Sequence, residues 1–345
     1  MTHPYLKRAR REGNPFKNGD QTTFVWQGET APMLIGDFNG WEGGNPAILK
    51  PVVPGLWAFS MEFPSAAYIE YMFWDGYERV VDPLNHNRAP NGFGKHNHFF
   101  YMPLAKTMDL THRQEGAPEG EVFELDLDPK WYLSSAQRRV HFYRPPVDEP
   151  CPLIVVWDGQ DYLRRARLPA IVDNLIFQQR IRPVALAMVE NGGKSRGVEY
   201  MCSEGTIKFL LDMILPAAYE SLNLIDIGND PGQFGVLGAS AGGLMALYTG
   251  LRLPHIFGKV LAQSGAYALD GYDFVVWNLV RSIAPEAIKV WLAAGCYEML
   301  VDCNQGMARL LEERGFDFKY HEYAGGHNYP AWSNDVPGGL EFLFG

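Results

Sequence analysis

Phe234-Gly235-Val236-Leu237-Gly238-Ala239-Ser240-Ala241-Gly242-Gly243-Leu244 is the stretch whose reading decides the fold. An apolar, strand-like run at 234–237 leads into Gly238-Ala-Ser-Ala-Gly242, and a helix-like run at 244–251 follows. Small residues on both sides of Ser240 leave room for a sharp strand-to-helix turn with the hydroxyl at its tip. A serine hydroxyl is a poor nucleophile at neutral pH, so chemistry there needs a base to take its proton and N–H groups to receive an oxyanion. In a chain with 36 glycines the same five letters also arise as a plain tight turn, so the pattern must be weighed with what lies downstream.

Downstream, an acid and a histidine follow in the order serine, acid, histidine, which is the order of the α/β-hydrolase triad. The run 289–294 (KVWLAA) reads as a buried strand, and Gly295-Cys296-Tyr297-Glu298 sets a carboxylate just past its C-terminal end. Such ends are where open parallel sheets keep their sites. A second run, 318–323, delivers Gly325-Gly326-His327-Asn328-Tyr329, so His327 sits on a glycine-flanked loop. Asp302, four residues beyond Glu298, is the second choice for the acid. Either carboxylate also reads as a solvated helix-start acid ahead of 303–314, and Glu298 is preferred because the acid should leave its strand almost at once.

The 345 residues suffice for two domains, and 47% apolar content supplies their cores. No apolar run approaches the length of a membrane span, and the basic N-terminus (Met1-Thr-His-Pro-Tyr-Leu-Lys-Arg-Ala-Arg-Arg) has no apolar segment behind it, which predicts a soluble, cytoplasmic protein. Cys151, Cys202, Cys296 and Cys303 lack metal-ligand or disulfide-framework spacing, so reduced thiols and neither metal nor cofactor are expected. The net charge is −10, with nearly all the acidic excess after residue 103, which argues against nucleic acid as a partner.

Residues 1–103 are rich in Trp, Phe, Tyr, Gly and Asn, with short strand-like runs at 21–26, 31–35, 55–63, 68–74 and 98–102 and no long amphipathic helix pattern. Short strands separated by turn signals predict a small all-β sandwich. Residues 104–120 lack apolar periodicity and read as a linker. From 121 to 345 strands and helices alternate: β runs at 122–127, 139–143, 153–157 and 183–189, and helical spacing at Leu168, Ile171, Val172, Leu175 and Ile176, and again at Ile207, Leu210, Leu211, Ile214 and Leu215. That alternation predicts an α/β domain with a mostly parallel sheet covered by helices on both faces.

The phrase Gly36-Asp37-Phe38-Asn39-Gly40-Trp41, with Gly55-Leu56-Trp57 and Tyr71-Met72-Phe73-Trp74-Asp75-Gly76, resembles the early-set immunoglobulin-like modules at the front of glycogen-branching enzymes and enterochelin esterases. In that resemblance Trp41 and Trp57 are either sugar-stacking or packing residues, and Asp82-Pro83-Leu84-Asn85 looks like the loop by which such modules approach a catalytic partner. The second domain resembles the esterase D-type α/β-hydrolases, and the two-domain order resembles the enterochelin (ferric enterobactin) esterase family over nearly the whole chain. The carriers are Val156-Trp157-Asp158-Gly159-Gln160, Arg196-Gly-Val-Glu199-Tyr200, Gly238 to Gly243, Gln263-Ser264-Gly265, Gly295 to Glu298, and Gly325-Gly326-His327-Asn328-Tyr329-Pro-Ala-Trp332.

The resemblance implies Ser240 as nucleophile, His327 as general base and then acid, and Glu298 as the orienting acid. The oxyanion hole would be the N–H of Ala241 with an N–H from the Gly159-Gln160 turn. Arg196, Trp332 and Asp158 are the implied substrate-binding positions, although Arg196 reads equally as a solvated arginine and Asp158 as part of a ligand-free turn. The implied activity is serine carboxylic ester hydrolysis of a small-molecule ester, either a siderophore trilactone or a feruloyl or acetyl ester of a plant oligosaccharide. A net acidic catalytic half departs from what an anionic iron chelate would favour. The reading from another class is a non-catalytic glycan-binding protein. Tyr162, Tyr267, Tyr272 and Trp277, with Trp332, are candidates for the acyl pocket or for core, and nothing in the sequence encodes an oligomer interface.

Overall fold

Alternating apolar residues shape the first half of the chain in a computed structural model, which describes residues 3–345 except 42–44, 93, 108, 130 and 134–136. Two compact units emerge, and they do not simply follow the chain. The first comprises Met1–Thr107 together with Gly295–Met299 and Tyr323–Ala331; the second is Met108–Ala294, Leu300–Glu322 and Trp332–Gly345. The segments with Glu298 and His327 thus belong to the unit built on the N-terminal strands.

In the first unit a short helix, α1 (Pro4–Glu12), precedes ten strands: β1 (Phe16–Asn18), β2 (Gln21–Gln27), β3 (Met33–Gly36), β4 (Ala47–Ile48), β5 (Lys50–Val53), β6 (Leu56–Glu62), β7 (Tyr68–Trp74), β8 (Arg79–Val80), β9 (Arg88–Pro90) and β10 (His96–Tyr101). Their order is β1-β2-β6-β5 in one sheet and β4-β3-β7-β10-β9 in the other, with β8 on β7. Phe24, Leu34, Phe63, Ile69, Phe73 and Phe100 fill the core, and Phe24 meets the Tyr71 ring edge-on at 5.1 Å. Tyr297 and Ala324, from the two C-terminal segments, pack on this same core. The basic N-terminus forms α1, which the sequence pattern missed because only Leu6 and Ala9 are buried on it.

The loop Asp82-Pro83-Leu84-Asn85 spends its polar groups inside this unit. Asp82 Oδ2 accepts from Tyr71 O–H at 2.6 Å and from Asn14 Nδ2 at 2.7 Å, and Asn85 Nδ2 donates to Phe99 O. The Trp41 indole donates to Asp37, and Trp57 packs on the core with its N–H on Gly28 O. Both tryptophans are used in the sandwich, which gives the sugar-stacking reading no support.

In the second unit, β11 (Glu121–Leu127), β12 (Arg138–Arg144), β13 (Leu153–Trp157), β14 (Ala185–Val189), β15 (Gly235–Ala239), β16 (Lys259–Gln263), β19 (Lys289–Gly295) and β20 (Asp317–Tyr323) lie in the order β11-β12-β14-β13-β15-β16-β19-β20. A small ribbon, β17 (Ala268–Leu269) with β18 (Tyr272–Asp273), stands apart. The two edge pairings β11/β12 and β12/β14 are antiparallel, while β14, β13, β15, β16 and β19 run parallel. Every residue of β13, β14 and β15 is buried, as a parallel strand covered on both faces requires.

The helices are α2 (Gly159–Arg164), α3 (Leu168–Phe177), α4 (Arg196–Tyr200), α5 (Glu204–Phe209), α6 (Leu215–Ser221), α7 (Ala241–Arg252), α8 (Val276–Ser282), α9 (Val301–Arg314) and α10 (Tyr329–Phe344). The helical spacing read across 207–215 is met by α5 and α6 joined through one π turn, Leu210–Ile214. The chain therefore has an N-terminal all-β region followed by an α/β domain with a mixed sheet.

Candidate active site

Ser240 stands where β15 ends and α7 begins. Its backbone has φ 59° and ψ −125°, a conformation that a residue with a Cβ adopts at a cost of roughly 1–3 kcal/mol. Three backbone bonds hold it there: Ser240 N–H donates to Gln263 O at 2.9 Å, and Ser240 O accepts from Leu244 N–H at 3.0 Å and from Ala266 N–H at 3.1 Å. The turn is tight enough that a Cβ at Gly238 would lie 2.2 Å from Gly242 O. Residues 241–251 of α7 are buried throughout, so the helix is a fixed support, while Ser240 itself is half-buried. Ala241 opens α7, and the first N–H groups of a helix have no acceptor within it, which leaves them available to an anion.

Gln263, the last residue of β16, braces the elbow. Gln263 takes the Tyr162 O–H at 2.8 Å on its Oε1 and donates its Nε2 to Asp335 Oδ2 at 2.6 Å and to Trp332 O at 3.0 Å. Trp332 is 4% exposed and donates its indole N–H to Ser264 Oγ. Its indole N–H is part of this brace. Tyr162 and Tyr267 are wholly buried, Trp277 donates to Tyr267 O, and Tyr272 is open to solvent, so these aromatics do not line one common surface. Burial pushes the Tyr162 hydroxyl well above the ordinary tyrosine range.

The Asp158-Gly159-Gln160 turn lies at the end of β13. Asp158 is in the left-handed region (φ 59°), and Arg196 grips its carboxylate with two bonds, Nε to Oδ1 at 2.7 Å and Nη2 to Oδ2 at 2.6 Å. Tyr200 O–H accepts from Asp158 N–H at 3.1 Å, and the Arg196 guanidinium lies 5.4 Å from the Tyr200 ring centroid. One turn of α4 thus fixes the loop after the third strand of the α/β domain. Its Glu199 forms a buried two-bond pair with Arg138 at 2.9 and 3.0 Å. Asp158 and Arg196 satisfy each other, so the positive charge expected for an anionic substrate is neutralised where it stands. Gln160 Oε1 accepts from Asn191 N–H, which further pins the turn.

The acid and the histidine come together in the first unit. His327 Nδ1 and Glu298 Oε2 are 2.5 Å apart, and Glu298 Oε1 accepts from Gly295 N–H at 2.9 Å. The Glu298 side chain has no exposure and that of His327 is one-third exposed. The bond fixes the orientation of the ring, with Nδ1 on the carboxylate side. Asp302 lies in the first turn of α9 and is exposed, the position of an ordinary helix-start acid; of the two candidate acids, Glu298 holds the imidazole.

Residues 134–343 match the protein-family model described as "Putative esterase", more than half of the chain. The chain belongs to this esterase family. Among curated relatives it is 27% identical over 287 residues to an iron(III) enterobactin esterase of Dickeya dadantii, a match that covers 76% of this chain and 65% of that protein's length. The same fold is seen in the crystal structure of ferric enterobactin esterase from Salmonella typhimurium, with a TM-score of 0.77, 20% identity and coverage of 94% of this chain and 93% of that one. A similar fold is also seen in the structure of a ferulic acid esterase of the anaerobic fungus Anaeromyces mucronatus, with a TM-score of 0.54, 16% identity, and coverage of 75% of this chain and 96% of that one.

Sequence reasoning did not find that the Asp37 carboxyl interacts with Glu298, nor that Glu70 lies beside Asp37. Asp37 and Glu70 are each 2% exposed in the first unit. Burial, then the charge of Glu70, pushes the Asp37 carboxyl well above its usual range, with Glu298 adding a smaller push in the same direction. The signal was present in the Gly36-to-Trp41 phrase, but only a folded sandwich relates it to residues 298 and 327.

Proposed function

We propose that this protein is a serine carboxylic ester hydrolase in which Ser240, His327 and Glu298 form the catalytic triad. The observation that carries the reading is the Glu298–His327 bond, which orients an imidazole as base in a chain that also holds a serine on a strained strand-to-helix turn. Ser240 Oγ attacks the ester carbonyl carbon while its proton passes to His327 Nε2, and the imidazolium then protonates the departing alkoxide. Water repeats the sequence on the acyl-serine, releasing the carboxylic acid and restoring Ser240. The N–H groups of Ala241 and of the Gly159-Gln160 turn are assigned to the oxyanion. Glu298 holds Nδ1 and so fixes the tautomer and orientation of the imidazole.

The substrate we propose is a small aromatic-acyl ester of the enterobactin trilactone type, supported by the curated relatives. One observation favours a second reading, a feruloyl ester: Arg196 is paired with Asp158, so it offers an iron-loaded, anionic chelate little net charge. The free thiols of Cys151, Cys202, Cys296 and Cys303 fit a cytoplasmic setting, and no helix among the described residues is long and apolar enough to cross a membrane. The test is turnover of p-nitrophenyl acetate, methyl ferulate and ferric and iron-free enterobactin by the wild type and Ser240→Ala, with products identified by mass. Ser240-dependent preference for enterobactin supports the first substrate and preference for ferulate the second. Turnover that survives Ser240→Ala overturns the triad, and glycan binding without Ser240 labelling would return the non-catalytic reading.

A further inference from the structure

The Gly36-to-Trp41 phrase is the one quoted motif that the proposed chemistry leaves unused. Asp37 follows β3 in a single 3-10 turn, Asp37–Asn39, and its carboxyl is buried and doubly held. Oδ1 accepts the Trp41 indole N–H at 2.8 Å, and Oδ2 accepts the Glu70 backbone N–H at 2.7 Å. That carboxyl occupies the space a side chain at residue 326 would need. A Cβ built on Gly326 would lie 2.1 Å from Asp37 Oδ1 and 2.2 Å from Cγ. A loose carboxylate could swing away; one pinned through both oxygens cannot without breaking buried hydrogen bonds.

Gly326 immediately precedes His327, and the segment around it is laced to the sandwich and to the Glu298 segment. Tyr68 N–H of β7 donates to Ala324 O at 3.0 Å, and Tyr297 N–H donates to Gly325 O at 3.1 Å. Phe63 meets the Tyr297 ring edge-on at 5.8 Å. The groups around Asp37 are Glu70, whose carboxylate takes Tyr68 O–H at 3.0 Å and Asn97 Nδ2 at 2.7 Å, the Arg79 guanidinium on Asn97 Oδ1, and Glu298 with its imidazole.

We propose that Asp37 of the N-terminal sandwich is a positioning residue for the catalytic base: its pinned carboxyl, set against Gly326, fixes the backbone that presents His327 to Glu298. The inference rests on His327 being the base. Asp37 touches no reacting atom and acts through the loop. The N-terminal module then belongs to the catalytic apparatus through its part in building the histidine loop, whether or not it contacts substrate.

The experiment measures acylation of Ser240 in the full-length protein by the p-nitrophenolate burst with p-nitrophenyl acetate, across pH, for Gly326→Ala, Asp37→Ala and the double variant. A displacement of about 1 Å at a catalytic group costs about 10²-fold in rate, so Gly326→Ala should lower kcat about 10²-fold with KM within about twofold. Asp37→Ala empties the space, so in that background adding Gly326→Ala should cost less than about threefold, a non-additivity that only contacting residues show. Where Gly326→Ala does not fold, Asp37→Asn serves. It keeps the volume but turns an N–H₂ toward one of the two N–H donors, and kcat should fall about tenfold with a shifted pH–rate midpoint. A folded Gly326→Ala or Asp37→Asn with wild-type kcat and pH profile, or strictly additive losses in the double variant, overturns the proposal. Ser240→Ala run alongside separates the cases: retained bursts there sink the triad itself, while their loss beside wild-type Gly326→Ala sinks only the role of Asp37.

Discussion

The two halves of the chemistry are built in opposite ways. The serine elbow is largely local: β15, the turn and α7 are one continuous stretch, and the backbone bonds of Ser240 go to residues 244, 263 and 266, within about 26 positions of it. The acid and histidine are non-local. Glu298 and His327 lie on two segments 29 residues apart, packed on a sandwich whose Phe63, Tyr68 and Asp37 are more than two hundred residues earlier. A local device tolerates change elsewhere in the chain, whereas a non-local one transmits it.

The largest expected effect breaks the local half. Ser240→Ala should lower kcat on any accepted ester about 10⁶-fold while leaving the melting transition in place, checked by steady-state kinetics and calorimetry. Glu298→Gln comes next: it keeps the shape but presents an amide to His327 Nδ1, and should cost about 10⁴-fold, whereas Asp302→Asn should stay within about twofold. Equal small losses in both would leave a dyad without an orienting acid.

Removing residues 1–107 tests the non-local half directly. Tyr297 and Ala324 would lose the core they pack on, so activity on even a small activated ester should fall by at least about 10²-fold. Unchanged turnover on that ester, with altered range for larger ones, would make the module a substrate-shaping device only.

Arg196→Ala leaves the buried Asp158 carboxylate without its charged partner, with Asn191 Nδ2 still on Oδ1, and should lower stability by about 3 kcal/mol in urea titration. A purely kinetic effect with unchanged stability would restore Arg196 as a substrate contact. The smallest effect concerns pH. A carboxyl whose value is raised by burial in the fold above its ordinary 3.8 costs stability once the pH exceeds 3.8, and the cost grows with pH until the raised native value is passed. Asp37→Asn removes that ionisation, so the fall in melting temperature between about pH 4 and pH 7 should be shallower than in the wild type.

Much of this was legible beforehand. The strand read at 68–74 is β7 residue for residue, and the runs at 153–157, 289–294 and 318–323 are β13, β19 and β20 to within a residue or so. Period-two and continuous apolar runs report burial directly, which is why they were readable. Helix α1 was not, because two buried residues make no pattern. Sequence lists the groups that Arg196 and Trp332 carry, but not that the guanidinium is bonded to Asp158 and the indole N–H to Ser264.

By itself the sequence determined the order of elements, the elbow at Ser240 and the two loops that offer a carboxylate and an imidazole, because each depends on residues adjacent in the chain. Which carboxylate meets His327, and that Asp37 lies against Gly326, were decided only by the tertiary structure. Glu298 and Asp302 are equivalent acids four residues apart, and what distinguishes them is burial, direction and a partner brought from a distant segment.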